Sequence, residues 1–535
     1  MSISATLPGE LLSMIFAHAT RPRGEGAAPR LSPCASDEEF DAVSLFNITH
    51  VCRFWRVVAL ADRALWTDIH SHCLSQAQQD AFLQRSRDQP VSLCSRADFS
   101  DFADVVNSLP AARLRRLKLV LNSHPRDIAP LMLLHAPILE CLTFVSGNDE
   151  LPVDLLLQRP QLLSSEVVYL KALALHAIGW VPSNHFPALT HLYLSVLPNQ
   201  KERLSAGEIL SLLSHTPQLE FVHLRGVESD LTHGRSYTSL PFALPRLRSL
   251  TCNHWAHGQV VKLLSHIMLP RRCRVRLSNI INESYVVGYP APLPQLAPLR
   301  GTTHLELASS PTHLLLVCDG GPSGVWLETT MYGGHNWNSW LAGLHAVLPL
   351  SNITSLHINI HRKHTFWPSL LPHMLQLTRL DVIVGSSEVG HRRPIDMLCD
   401  LLTSSGTSAL APAPALRKLR LQFVESVRRN QSPASSLRRM LEHRARAGCQ
   451  LHRLSIQLNA ETWSIELAEE VGQKLVAALS EHVRVLRVRV VDPSEEPLCQ
   501  FKMRDGWNVA GAELYWTLDA WERPQYVLWQ VSREW

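Results

Sequence analysis

Residues 170–194 read LKALALHAIGWVPSNHFPALTHLYL, and the phrase L-x-x-L-x-L that opens the stretch at 170–175 closes it again at 189–194. Leucines alternating over a few residues give a strand with one apolar face, because successive side chains point to opposite sides. Pro187, two residues ahead of the second copy, punctuates the chain before that strand. Outward from this pair the phrase recurs as LRRLKL (114–119), LECLTF (139–144), LEFVHL (219–224) and LRSLTC (247–252). Later copies are ITSLHI (353–358), LTRLDV (377–382), LRKLRL (416–421), LHRLSI (451–456) and VRVLRV (483–488). Between 252 and 353 the phrase weakens, and HLEL at 304–307 is its best survivor.

Segments between copies, such as SAGEILSLLSHT at 205–216, carry helical spacing. One strand and one helix per unit of roughly 20 to 40 residues is the leucine-rich-repeat pattern, in which each unit buries its leucines against its neighbours. The predicted fold class is therefore α/β, with a leucine-rich-repeat-like curved solenoid over 113–495. The asparagine usual at the ninth repeat position occurs only at Asn122 and Asn459, so the repeats are divergent.

Inside each phrase the leucines point inward and the odd positions outward, onto the concave sheet. Arg116, Lys118, Arg225, Arg379, Lys418, Arg420, Arg453, Arg487 and Arg489 fall on that face, against only Glu306 and Asp381. Such a basic stripe predicts a protein substrate that is acidic or phosphorylated, where arginine makes bidentate contacts. The plainer alternative is that long charged side chains merely solvate an exposed sheet.

Over all 535 residues, 51 Lys and Arg stand against 47 Asp and Glu, a net charge of +4 that does not by itself indicate a nucleic-acid binder. Eleven cysteines form no C-x-x-C pair, and the odd number excludes complete internal pairing. A reducing compartment, cytoplasmic or nuclear, is predicted. Glu10 interrupts the first apolar stretch, which argues against a signal peptide, and no apolar run reaches the length of a membrane span. H-E-x-x-H, G-x-S-x-G and phosphate-loop motifs are absent, so no intrinsic enzyme and no cofactor is expected. GGPSG at 320–324 lacks the lysine of a phosphate loop and reads as a turn. His357, His361 and His364, like Cys252, His254, His257 and Cys273, match no zinc finger, and no metal is assigned to them.

The first 70 residues read as short helices. Thr6 can cap a helix with Pro8 in its first turn and an apolar stripe of Leu7, Leu11, Leu12, Ile15 and Phe16. A loop rich in Pro, Gly, Ala and Ser follows at about 20–40. A second helix at about 41–61 carries Leu45, Ile48, Val51, Cys52, Trp55, Val58 and Ala59 on one stripe, with Phe46, Phe54 and Val57 off it. A block this small cannot bury two apolar faces, so something else must cover one. Asp62 is the expected cap of a third segment with Leu65, Trp66 and Ile69. Residues 71–112 read as a helical linker, and 496–535, with Trp507, Tyr515, Trp516, Trp521, Tyr526, Trp529 and Trp535, as an aromatic cap over the open solenoid end.

The run LPGELL at 7–12 with IF at 15–16, then VCRFWR at 51–56 and LW at 65–66, resembles the F-box motif. With its inserted loop and leucine-patterned continuation, the chain is similar to the expanded F-box families of mushroom-forming fungi. The resemblance implies a three-helix module that docks on the Skp-family adaptor of a cullin-RING ubiquitin ligase, leaving the remainder to select a substrate. Carried onto this sequence, Leu7, Pro8, Leu11, Leu12, Ile15, Phe16, Val51, Cys52 and Trp55 would lie in or beneath the adaptor interface. Two other readings are a scaffold that keeps the helices without the adaptor contact, and, more weakly, a nucleic-acid-binding solenoid.

Overall fold

Each repeated phrase contributes a strand, and in most copies the first residue closes the turn ahead of it. In the computed structural model, the described residues are 7–20, 42–97, 102–121, 129–146, 160–164, 167–196, 204–226, 240–282, 293–309, 313–331, 338–360, 367–385, 393–403, 412–423, 433–459, 465–491, 507, 509–516 and 518. The chain is mixed α/β with mostly parallel strands, and it divides into two units: 1–250 with 508–523, and 251–507 with 524–535. Thr6, Asp41, Asn122, residues 21–40 of the expected loop, His361 and His364, and Trp521, Tyr526, Trp529 and Trp535 lie outside the described residues.

The first unit opens with α1 (Gly9–Ala19), α2 (Ala42–Val51) and α3 (Arg53–Ala61). The single helix expected over 41–61 is two, because Cys52 adopts extended backbone (φ −159°, ψ 169°) and its Sγ accepts from Trp55 N at 3.4 Å as the cap of α3. That break moves Val51 off the buried stripe. Leu12, Phe16, Leu45, Ile48, Ala59 and Trp66 are buried. Phe16 meets Trp55 with ring centroids 5.0 Å apart, and Trp66 meets Phe82 of α4 (Gln76–Ser86) at the same distance. The Asp62 carboxylate accepts from Ala64 N at 3.1 Å, capping a short 3-10 turn, Arg63–Trp66.

Strands β1 (Asp68–His70), β2 (Val91–Ala97), β3 (Leu114–Leu121), β4 (Cys141–Ser146), β5 (Ala172–His176), β6 (His191–Ser195) and β7 (Phe221–Arg225) pair in parallel, each with the next. The strand ladder thus begins well before 113, and the linker expected at 71–112 contributes β2 to it. VSLCSRA places Val91, Leu93 and Ser95 inward, so a serine stands where the phrase has leucine and the motif is hidden. From β4 onward the strand begins at the third residue of the phrase. The first leucine closes a turn: Leu139 N donates to Ala136 O, Leu189 N to Phe186 O, Leu219 N to Thr216 O and Leu247 N to Leu244 O. Pro137, Pro187, Pro217 and Pro245 occupy the second turn position, where a locked φ fits. Fourth residues align across the ladder as Leu117, Leu142, Leu173, Leu192 and Val222, all buried. The helix expected at 205–216 is α5 (Ala206–Ser214), opened by a reciprocal capping box between Ser205 and Glu208.

The sixth copy forms β8 (Ser249–Asn253), where one unit ends and the other begins. In the second unit, β9 (Arg274–Asn282) pairs in parallel with β12 (Gly324–Met331), and β10 (His304–Ser309) with β13 (Ser355–Ile360). Between them β11 (His313–Asp319) runs antiparallel to both β10 and β12. Here the phrase fades because a hairpin needs no returning turn and helix. The 320–324 segment is the hairpin turn, with Gly320 N donating to Ser323 O at 2.9 Å and Gly321 at φ +85°. Parallel order resumes with β14 (Arg379–Val384), β15 (Lys418–Phe423), β16 (Arg453–Asn459) and β17 (Val485–Val491). Helices α6 (Pro394–Thr403), α7 (Ala434–Arg446) and α8 (Ile465–Leu479) lie between these four strands in sequence. Among the described residues no helix is long and apolar enough to cross a membrane.

Candidate functional site

Two surfaces of the first unit and one of the second carry the residues singled out above. The first is on the helices. Leu11 and Ile15, one turn apart on α1, are 45% and 47% exposed; Val51 ends α2 at 57%; Phe54 and Val57 on α3 are at 41% and 59%. Met14, Val43 and Leu60 are exposed as well. Isolated apolar side chains on a surface are ordinary, but eight on three helices of one small block are more apolar surface than the block itself covers. Pro8 and Cys52 are exposed, while Leu7 and Trp55 are half-buried. Leu12 and Phe16 point the other way, into the block's own core, so their part is to support the face. Phe54, Val57 and Leu60 complete the exposed set, although only the first two were flagged by sequence, as residues off the stripe.

The second surface is the outward face of β4–β6. Cys141, Ala172, Ala174 and Tyr193 lie in adjacent rows there, and Tyr515 and Trp516 pack on them and are buried. His191 Nε2 hydrogen-bonds the Gly511 carbonyl at 2.8 Å, its ring meets Tyr515 edge-on at 4.9 Å, and Arg116 sits over Tyr515 at 5.4 Å. Gly511 is required: its φ is +96°, and a Cβ there would stand 3.2 Å from the Phe221 ring. The described tail is therefore not a cap on the end of the ladder, as expected, but covers part of its face. The reason is volume, since small side chains at 141, 172 and 174 leave a recess that two large rings fill. Within the second unit Trp507 does likewise, packing on Ala308, Leu315, Val317 and Trp326, with Arg274 over its ring at 5.0 Å.

The third surface is the outward face of β14–β17. Arg379, Lys418 and Arg453 align in one row, Asp381, Arg420, Ser455 and Arg487 in the next, and Gln457 beside Arg489 beyond. Asp381 is 6% exposed and is held by Arg379 through Nη2 at 2.6 Å, with Arg420 Nη1 at 3.9 Å. Two of the predicted cations are thus partly balanced from within. Lys418, Arg487 and Arg489 are exposed, and Arg453 Nε is buried with no hydrogen-bond partner among the described residues. Of the remaining predicted cations, Arg116 is engaged by the tail, Lys118 adjoins Cys94 and Thr143 in register, and Arg225 adjoins Ser195. Three of the nine thus lie in the first unit and six in the second.

Sequence reading missed His70, His72 and Cys94, whose ligand atoms all lie within 4.8 Å of one another. Burial, reinforced by His72 and Lys118, pushes His70 down to about 3, so its ring stays neutral. The His-x-His spacing is visible in the sequence, but Cys94 joins it only through the register of β1 with β2. No protein-family model matches the chain, and no curated protein matches it either.

Proposed function

We propose that the chain is a substrate-receptor subunit of a Skp-cullin-F-box ubiquitin ligase, without chemistry of its own. In this reading α1–α3 are the F-box module, the strand ladder is a leucine-rich-repeat-like solenoid, and the chain works by holding a target beside the transferring enzyme. One observation carries it: the residues of LPGELL, IF and VCRFW divide into a buried set, Leu12 and Phe16, and an exposed apolar set, Leu11, Ile15 and Val51, joined by Phe54 and Val57. Burial of each such side chain contributes roughly 1.5–3 kcal/mol, so four or five anchors sustain a complex after association costs. Of the predicted cations, Lys418, Arg453, Arg487 and Arg489, on the outward face of β15–β17, are the ones this reading sets against an acidic target.

Co-expression of the tagged chain with a Skp-type adaptor tests the reading. The adaptor is retained by the wild type and lost from the double variant Ile15→Asp, Val57→Asp. Because both sites are exposed, the variant's own stability shifts by no more than about 1 kcal/mol, about 0.5 for each substitution. If the wild type fails to retain the adaptor, the scaffold reading takes its place.

A further inference from the structure

The geometry points to a binding site for one transition-metal ion of the zinc type, formed by His70, His72 and Cys94. His70 ends β1, and Cys94 stands opposite it in parallel register. The turn that follows β1 brings residue 72 back beside it, and the two histidine rings lie 5.7 Å apart, centroid to centroid. All three ligand atoms are within 4.8 Å of one another. Around a zinc ion, with nitrogens at about 2.0–2.1 Å and sulfur at about 2.3 Å, such atoms stand ~3.5 Å apart.

The backbone that carries them is fixed. Ser71 N donates to Cys94 O at 2.9 Å, extending the ladder one residue beyond β1, and Ser71 Oγ donates to Ser95 Oγ at 2.9 Å. Leu74 N then donates to His70 O at 3.2 Å, folding 70–74 into a turn. Gln79 Nε2 of α4 ties down two of its carbonyls, Ser71 O at 3.3 Å and Leu74 O at 3.0 Å. Inward neighbours Ile69 and Leu93 are buried. A cluster of ligating side chains on a hydrogen-bonded turn against a strand is a preorganised site.

Two imidazoles and a thiolate select a borderline or soft ion over magnesium or calcium, which take oxygen ligands. Three protein ligands leave a fourth position open to water or a small anion. Lys118, next after Cys94 in the same row, favours an anion there. A bound ion would clamp the turn after β1 onto β2.

The test uses the full-length chain, reduced and metal-free, titrated with Co2+. One equivalent per chain produces the visible ligand-field bands of a four-coordinate ion together with a near-ultraviolet thiolate-to-cobalt band, and Zn2+ bleaches both. Cys94→Ser abolishes the thiolate band, and His72→Ala abolishes stoichiometric binding, with unchanged circular dichroism in the metal-free state. Cys73→Ser, which removes the neighbouring exposed thiol, leaves the spectrum as it is. A thiolate band that survives Cys94→Ser, or none at excess Co2+, overturns the assignment; should Cys94→Ser fail to fold, His72→Ala alone decides it by the same measure.

Discussion

Arg444 of α7 is fully buried, and its guanidinium donates to two carbonyls, Pro412 O at 3.0 Å and Ala413 O at 2.9 Å, in the turn before β15. Buried backbone acceptors in a turn must find donors. The phrase LRKLRL supplies leucines for the sheet but nothing for the turn ahead of it, so the helix following β15 provides the donor. Arg444→Ala strands both carbonyls and leaves a cavity, and the chain loses about 3 kcal/mol. Arg444→Lys restores charge without the two-pronged geometry and recovers only part of this. Denaturant midpoints of the three proteins check it, and equal midpoints would count against the buried pairing. Helical spacing puts Arg444 on the buried stripe of Leu437, Met440 and Leu441, but what it donates to was not legible, because its partner is a turn 31 residues away in the chain.

At the level of strands, the leucines were legible because each phrase repeats the same turn, strand and inward pattern, and the ladder aligns them row on row. The outward rows were less legible. Alternation gives the side to which His176 and His357 point, but not what covers them. Burial pushes His176 down to about 4, with Arg225 and Lys118 acting in the same direction. His357 is pushed to about 4 by burial too; Asp381 opposes this, while Arg379 and Arg420 add to it. Both imidazoles are neutral in the folded chain and take up a proton on unfolding below the ordinary histidine value of 6.5. Stability is therefore level above that value and falls as pH drops towards 4, by up to about 1.4 kcal/mol per pH unit for each histidine. Urea midpoints at about pH 7 and about pH 5 measure the slope, and His176→Phe flattens its share of it. A midpoint independent of pH across this window would contradict the burial of both rings.

Over the whole chain the least legible feature is where the end returns to. Sequence showed an aromatic-rich tail and the physical need to cover a solenoid end, and those two facts favour an end cap. The recess that receives Tyr515 and Trp516 is written in what is missing from the phrases at 139–144 and 170–175, where cysteine and alanine stand at outward positions that elsewhere carry larger side chains. Residues 508–523 belong with the first unit, although some 250 residues intervene. Cys141 reports on this packing, since its thiol is buried against the two rings and pushed up to about 11 by that burial. Trp516→Ala removes a large part of the cover, at a cost of about 3 kcal/mol to the first unit. It also opens Cys141 to solvent, so a thiol reagent that is slow on the wild type labels this cysteine in native buffer. Cys252, Cys318 and Cys399, which are buried elsewhere, stay silent, and this separates local uncovering from general unfolding. Peptide mapping after labelling reads each thiol individually; modification of all four together, or of none, would mean that the tail does not shield this face.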